Sequence, residues 1–157
     1  MLPKSLFNIL PPTSERVPRH TDEEVNQRVT RQTDINVASF AADPRLLDLR
    51  IHELDREWDI ERALEANAAA VTLIGLALGH FVSRRLYALP AAVAMFLLQH
   101  ALQGRCPPVS LFRRLGIRTQ REIDEERYAL KFMRGDFRPA DDQHEKSLPA
   151  VMQAVRR

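Results

Sequence analysis

The chain has 157 residues, the length of one domain, which leaves no room for a large two-domain enzyme. Apolar residues make up 45% and charged residues 28%, and the mean hydropathy of −0.31 alone would suit a water-soluble globule, but the apolar residues are pooled in one stretch with the charges on either side. The net charge of only +2 does not imply wholesale nucleic-acid binding, and a single cysteine, Cys106, excludes an internal disulfide and any two-cysteine zinc or redox motif.

Residues 1–20 read as a mobile tail, with a short partner-binding or membrane-touching motif as the alternative. The apolar run 6–10 ends at Pro11-Pro12 and is too short for the core of a secretory signal. Residues 21–65 read as a helical cytoplasmic region. Thr21 with Glu24 three residues on makes a capping box, and Asp22, Glu23 and Glu24 sit where the helix dipole favours negative charge. Asp43-Pro44 restarts a helix, with aspartate at the cap and proline at the first helical position. Leu47, Ile51, Leu54 and Trp58 follow at helical spacing and form one face. That face packs on its own chain, or lies at a membrane surface or in a dimer seam.

Two uncharged runs decide the class. No Asp, Glu, Lys or Arg occurs in 66–83 or in 86–104, which are separated only by Arg84-Arg85. As helices they span roughly 27–28 Å each, against a bilayer hydrocarbon core of about 30 Å. The spacing predicts an all-α chain whose residues 66–104 form a transmembrane helical hairpin. A soluble pair buried in a bundle competes with this, but the remaining sequence offers little apolar surface to cover it. Arg50, Arg56 and Arg62 before the hairpin, and Arg105, Arg113, Arg114, Arg118 and Arg121 after it, outnumber the two arginines of the turn. Basic residues favour the inner side, so both termini are expected in the cytoplasm.

Gly75 and Gly79 are four residues apart and lie on one helix face, where they let a second helix approach closely. The partner is either the other arm of the hairpin or a second copy of the chain. Pro90 falls in the first turns of the second helix or kinks it. His80 and His100 are ionisable groups inside the apolar runs, too far apart along an antiparallel hairpin to share a metal. Asn67, Gln99, Gln103 and Glu65 lie toward the same end as His100 and are expected to gather with it as a polar cluster near the cytoplasmic mouth, with the thiol of Cys106 close by. Arg105 beside Cys106 would lower the thiol pKa slightly.

Residues 105–137 read as a basic juxtamembrane segment and helix. Pro107-Pro108 ends the second apolar helix. Arg105, Arg113, Arg114 and Arg118 are expected to meet anionic headgroups while neighbouring leucines and Phe112 dip into lipid. Thr119 and Glu122 form a second capping box, and the helix it opens stops near Arg134 at Gly135. Residues 138–157 read as a loose tail, with at most a turn of helix near 148–155.

Asp59-Ile60-Glu61-Arg62, the two apolar runs, Cys106-Pro107 and Leu115-Gly116 together resemble the YgaP-like transmembrane domain, a family of small bacterial inner-membrane hairpins. The segments Arg121-Glu122-Ile123-Asp124-Glu125-Glu126-Arg127-Tyr128-Ala129-Leu130-Lys131 and Arg134-Gly135-Asp136-Phe137 resemble a proteobacterial branch of it. The resemblance implies a two-helix inner-membrane hairpin of unknown biochemical role. Some relatives carry a rhodanese sulfurtransferase domain. This chain has no α/β pattern and no cysteine-led active-site loop, so sulfur transfer does not carry over.

The residues and the resemblance lead to one expectation: a non-enzymatic, self-associating anchor or adaptor in the bacterial inner membrane. It has no catalytic residue, cofactor or metal, and does not bind nucleic acid. Its partners are the lipid bilayer, a second copy and a cytoplasmic protein. The alternatives are a channel or relay for a small solute or sulfur species, with Cys106 and His100 near its mouth, and a soluble helical adaptor.

Overall fold

The computed structural model describes residue 12 and residues 14–137. The readings for 138–157 and for most of the N-terminal tail lie outside the described residues. The described residues are all helical, as the sequence predicts. Six α-helices follow one another: α1 (Glu23–Phe40), α2 (Pro44–Leu54), α3 (Ile60–Phe81), α4 (Ala88–Gln103), α5 (Pro107–Arg114) and α6 (Gln120–Arg134). Short 3-10 turns occupy Pro18–His20 and Arg84–Tyr87. The chain divides into two compact units. One takes the residues up to 29 and 58–120, the other 30–57 and 121 onward.

The first unit is built on α3 and α4, which pack together as a helical hairpin. Asp59 starts α3, its side chain accepting the Arg62 N–H at 2.9 Å. The helix therefore begins well before the uncharged run at 66 and carries Glu61 and Glu65 in its first turns. Gly75 and Gly79 face the other arm: a Cβ on Gly75 would lie 2.7 Å from Cδ of Pro90, and one on Gly79 would lie 2.7 Å from the Tyr87 ring. Of the two partners open to these glycines, the hairpin's own second arm is the one they meet. Pro90 sits in the first turn of α4, where its missing N–H has no helical acceptor to serve.

Helix α4 stops where the sequence predicts, but for another reason. Gly104 adopts a left-handed conformation (φ 74°) and its N–H returns to the His100 carbonyl at 2.7 Å. Pro107-Pro108 does not end α4; the pair opens α5, with proline in the first turn. Gly104 is needed twice over, since a Cβ there would come within 2.6 Å of the Arg16 backbone. The core of this unit gathers Val17, Ile60, Leu64, Cys106 and Val109, with Leu97, Phe112 and Ile117 packed around them. The Ile60 N–H is donated to the Arg118 carbonyl at 2.8 Å and ties α3 to the α5–α6 link.

Start signals elsewhere mostly hold. Asp43 accepts the Arg45 N–H at 2.8 Å and Pro44 begins α2. Helix α6 begins one residue after Thr119 and ends at Gly135 (φ 91°), with the N–H groups of Gly135 and Asp136 both returning to Lys131. The first capping box does not form as expected. The Asp22 carbonyl accepts the first helical N–H groups, from Val25 and Asn26, so Asp22 occupies the cap position, while the Thr21 hydroxyl donates backward to the Val17 carbonyl at 2.9 Å.

The second unit packs the end of α1, α2 and α6. Leu47, Ile51 and Leu54 bury against Ile123 and Leu130, with Val37 and Phe40 beside them. Trp58 does not extend this face. Helix α2 ends at Leu54, and Trp58, about half exposed, stands before the new start at Asp59. A carboxylate able to cap a fresh helix competes locally with continuation of the old one.

Candidate functional site

The polar residues of the first unit concentrate at the open end of the hairpin, opposite the turn. Glu61 is in the first turn of α3 and His100 in the last turn of α4. An antiparallel pair brings those turns together. His100 Nε2 lies 2.8 Å from one Glu61 oxygen, and Arg16 Nη2 donates to the other at 2.8 Å. Arg16 Nη1 also donates to the Ala101 carbonyl at 3.2 Å. The carboxylate thus joins three chain segments: the strand of chain before α1, α3 and α4. Bonds to charged groups are stronger than neutral ones, and this site is only partly open to solvent. His100 Nδ1 and Arg16 Nε are buried and find no acceptor or donor.

The predicted polar cluster divides. His100 takes Glu61 as partner rather than Asn67 or Gln99. Glu61 precedes Glu65 by four residues, one turn along the same face, so the spacing alone fits either carboxylate. Asn67 and Cys106 instead line a groove of about 160 Å³ between α3, α4 and the start of α5. Its walls are otherwise apolar, with Val71, Val93, Phe96 and Pro108 among them. Gln99 is half-buried and belongs to neither arrangement. His80 lies at the turn end, edge-on to Phe81 at 4.8 Å.

Cys106 is buried, and burial pushes its thiol pKa up from the ordinary cysteine value. The expected lowering by Arg105 does not prevail: the Arg105 side chain is exposed, and its charge acts mainly through water. The basic residues after α4 also divide. Arg113 is 1% exposed and donates to the Asn26 side chain at 3.1 Å and the Ile117 carbonyl at 3.3 Å. Arg118 is buried as well. Neither can reach a headgroup. Arg105 and Arg114 remain at the surface, Arg114 paired with the exposed Asp22 at 3.0 Å.

Sequence reasoning missed Arg16, Glu61 and, in the second unit, Glu126. Glu126 is fully buried on α6, its oxygens taken by Arg50 at 2.7 Å and Asn36 at 3.3 Å. Three acidic residues in a row, Asp124-Glu125-Glu126, give no sign in the sequence of which one turns inward. Among the described residues, no three His, Cys, Asp or Glu side chains converge as a metal site would require. No family model matches this chain, and no curated protein or solved structure matches it either.

Proposed function

We propose that this chain is an integral protein of the bacterial inner membrane, held there by the α3–α4 hairpin, and that it serves as a non-enzymatic anchor or adaptor with both ends in the cytoplasm. The observation that carries this reading is the outer surface of the hairpin. Leu73, Ile74, Phe81, Val82, Met95 and Leu98 are all more than half exposed. Only 22% and 6% of the two apolar windows are buried, whereas the core helix of a soluble protein is mostly covered. Leaving such side chains in water forgoes about 1.5–3 kcal/mol for each large one.

Dimensions and end groups support the same reading. The 22 residues of α3 are about 33 Å long, enough to cross a hydrocarbon core. One end of the hairpin carries Trp58 with the Arg62 guanidinium 4.3 Å above its ring, and the other carries the exposed Tyr87 beside Arg84 and Arg85. Amphipathic aromatics and arginines favour the two interfaces of a bilayer. Membership of the YgaP-like hairpins belongs to this proposal and rests on the residues quoted above. Gly75 and Gly79 are occupied by the hairpin itself, so a homodimer would have to use another face.

Fractionation with engineered cysteines tests the reading. Because Cys106 is buried, the reporters are Ser110→Cys and Arg85→Cys in a Cys106→Ser background. The chain is expected to pellet with membranes and resist alkaline extraction. An impermeant thiol reagent on intact spheroplasts should label the Arg85 reporter and spare the Ser110 reporter. Recovery in the soluble fraction without detergent would sink the membrane reading in favour of a soluble helical adaptor. Reversed labelling would overturn the orientation alone.

A further inference from the structure

The two arms of the hairpin lie directly on each other near the turn and are tied at the open end by the Glu61–His100 contact, with an apolar groove between these points. Near the turn, Gly75 and Gly79 let α4 lie directly on α3. Toward the open end the facing positions carry Leu64, Val71, Phe96 and Leu97, and the helices leave the groove between them. Cys106 and Pro108 also line it. A dry apolar cavity of about 150 Å³ holds a benzene-sized molecule, so a groove of this size takes a comparable length of hydrocarbon. Arg105 immediately precedes Cys106 in the chain, is exposed, and has no ion pair among the described residues. The nearby Glu61 carboxylate is already held by Arg16 and His100. An apolar slot with an uncommitted cation next in the chain to one of its lining residues has the complementarity of a lipid: hydrocarbon along the slot and a phosphate beside the cation.

We propose that this groove binds one acyl chain of a membrane glycerophospholipid whose phosphate lies beside Arg105. The proposal rests on the membrane reading above. It goes further in making one lipid a specific ligand, distinct from the annular lipid around any membrane helix. A bound chain would fill the groove between the two arms, beside the Glu61–His100 contact that joins them at this end. Loss of the dispersion contacts of an unfilled groove is avoided in this way.

The test is native mass spectrometry of the full chain, delipidated in mild detergent and titrated with palmitoyl-oleoyl-phosphatidylglycerol. One lipid per chain is expected to bind saturably. Val93→Phe, which fills the groove, should abolish that binding while circular dichroism shows the helices intact. Arg105→Gln should weaken it by about tenfold, the loss of one charge-assisted hydrogen bond, and Arg105→Lys should restore most of it. Arg105 lies outside the core, so its variants report even if the Val93 variant misfolds. Glycerol phosphate, which has no acyl chain, should not compete. Non-saturable binding that is equal in all variants would overturn the proposal and leave the membrane hairpin standing. So would a protein dimer that fills the groove and is lost in Val93→Phe. A chain soluble without detergent would remove the membrane reading itself.

Discussion

Arg50 and Glu126 show how much can hang on one buried side chain. The Glu126 carboxylate is fully enclosed, and Arg50, itself stacked 5.5 Å from the Phe40 ring centre, supplies its counter-charge. Removing one partner of a buried ion pair strands the other, at a cost of about 3–5 kcal/mol, whereas replacing both by apolar side chains is often neutral. Arg50→Met is therefore expected to loosen the second unit by about 3 kcal/mol. Hydrogen exchange of the α6 amides should show it, and the double change Arg50→Met with Glu126→Met should recover most of the loss. An unchanged exchange rate in the single variant would mean that water reaches the carboxylate. Cys106 gives a second residue-scale expectation. Its thiol pKa is raised by burial, so at neutral pH alkylation should be slower than for the same thiol in urea. The sign for stability follows. The unfolded thiol ionises first, so the contribution from this site is present below the ordinary cysteine pKa and is lost as pH rises through the higher folded value. Fast alkylation at pH 7 in the folded chain would refute the burial argument.

At the scale of helices, the two glycines of α3 do different amounts of work. A methyl on Gly75 meets the rigid ring of Pro90, while one on Gly79 meets the edge of Tyr87, an exposed ring that can swing aside. Overpacking costs about 1–3 kcal/mol where the neighbour cannot move. Gly75→Ala should thus lower the thermal midpoint of the detergent-solubilised chain more than Gly79→Ala, and Leu73→Ala, on the exposed face, should change it least. Equal losses at both glycines would argue against the hairpin contact. The sequence shows the four-residue spacing but not its partner, because one small-residue stripe serves an intramolecular and an intermolecular helix equally well. Helix ends divide for a related reason. Asp43-Pro44, Thr119 and Gly135 mark their boundaries through local backbone chemistry. Thr21 competes with its neighbour Asp22 for the cap, and Pro107-Pro108 competes with the upstream Gly104 for the stop; the Thr21 hydroxyl turns to the Val17 carbonyl, and Gly104 fits against the Arg16 backbone.

For the molecule as a whole, the exposed apolar belt of the hairpin makes solvent the decisive variable. Ile74 and Leu98 are 57% and 62% exposed. If water surrounds them, lysine at either place is a surface change worth within about 0.5 kcal/mol. In the centre of a bilayer each lysine costs about 3 kcal/mol. Ile74→Lys combined with Leu98→Lys is expected to shift the chain out of the membrane fraction or trigger its degradation. Unchanged yield, location and helix content would favour the soluble reading.

The sequence alone determined the helical class, most helix boundaries and the two uncharged runs long enough to span a bilayer. These depend on local rules: the period of apolar residues, the reach of a capping side chain, the freedom of glycine, and the rise per residue. The tertiary structure alone decided that Gly75 and Gly79 close the hairpin, and that Glu61 rather than Glu65 or Asn67 meets His100. It also decided that Arg113 and Arg118 turn inward while Arg105 stays out, and that Cys106 is buried. Each of these is a choice among chemically equivalent neighbours one turn or one face apart. Such choices follow from the register and rotation of packed helices, which arise from many long-range contacts together and leave no mark on any short stretch of sequence.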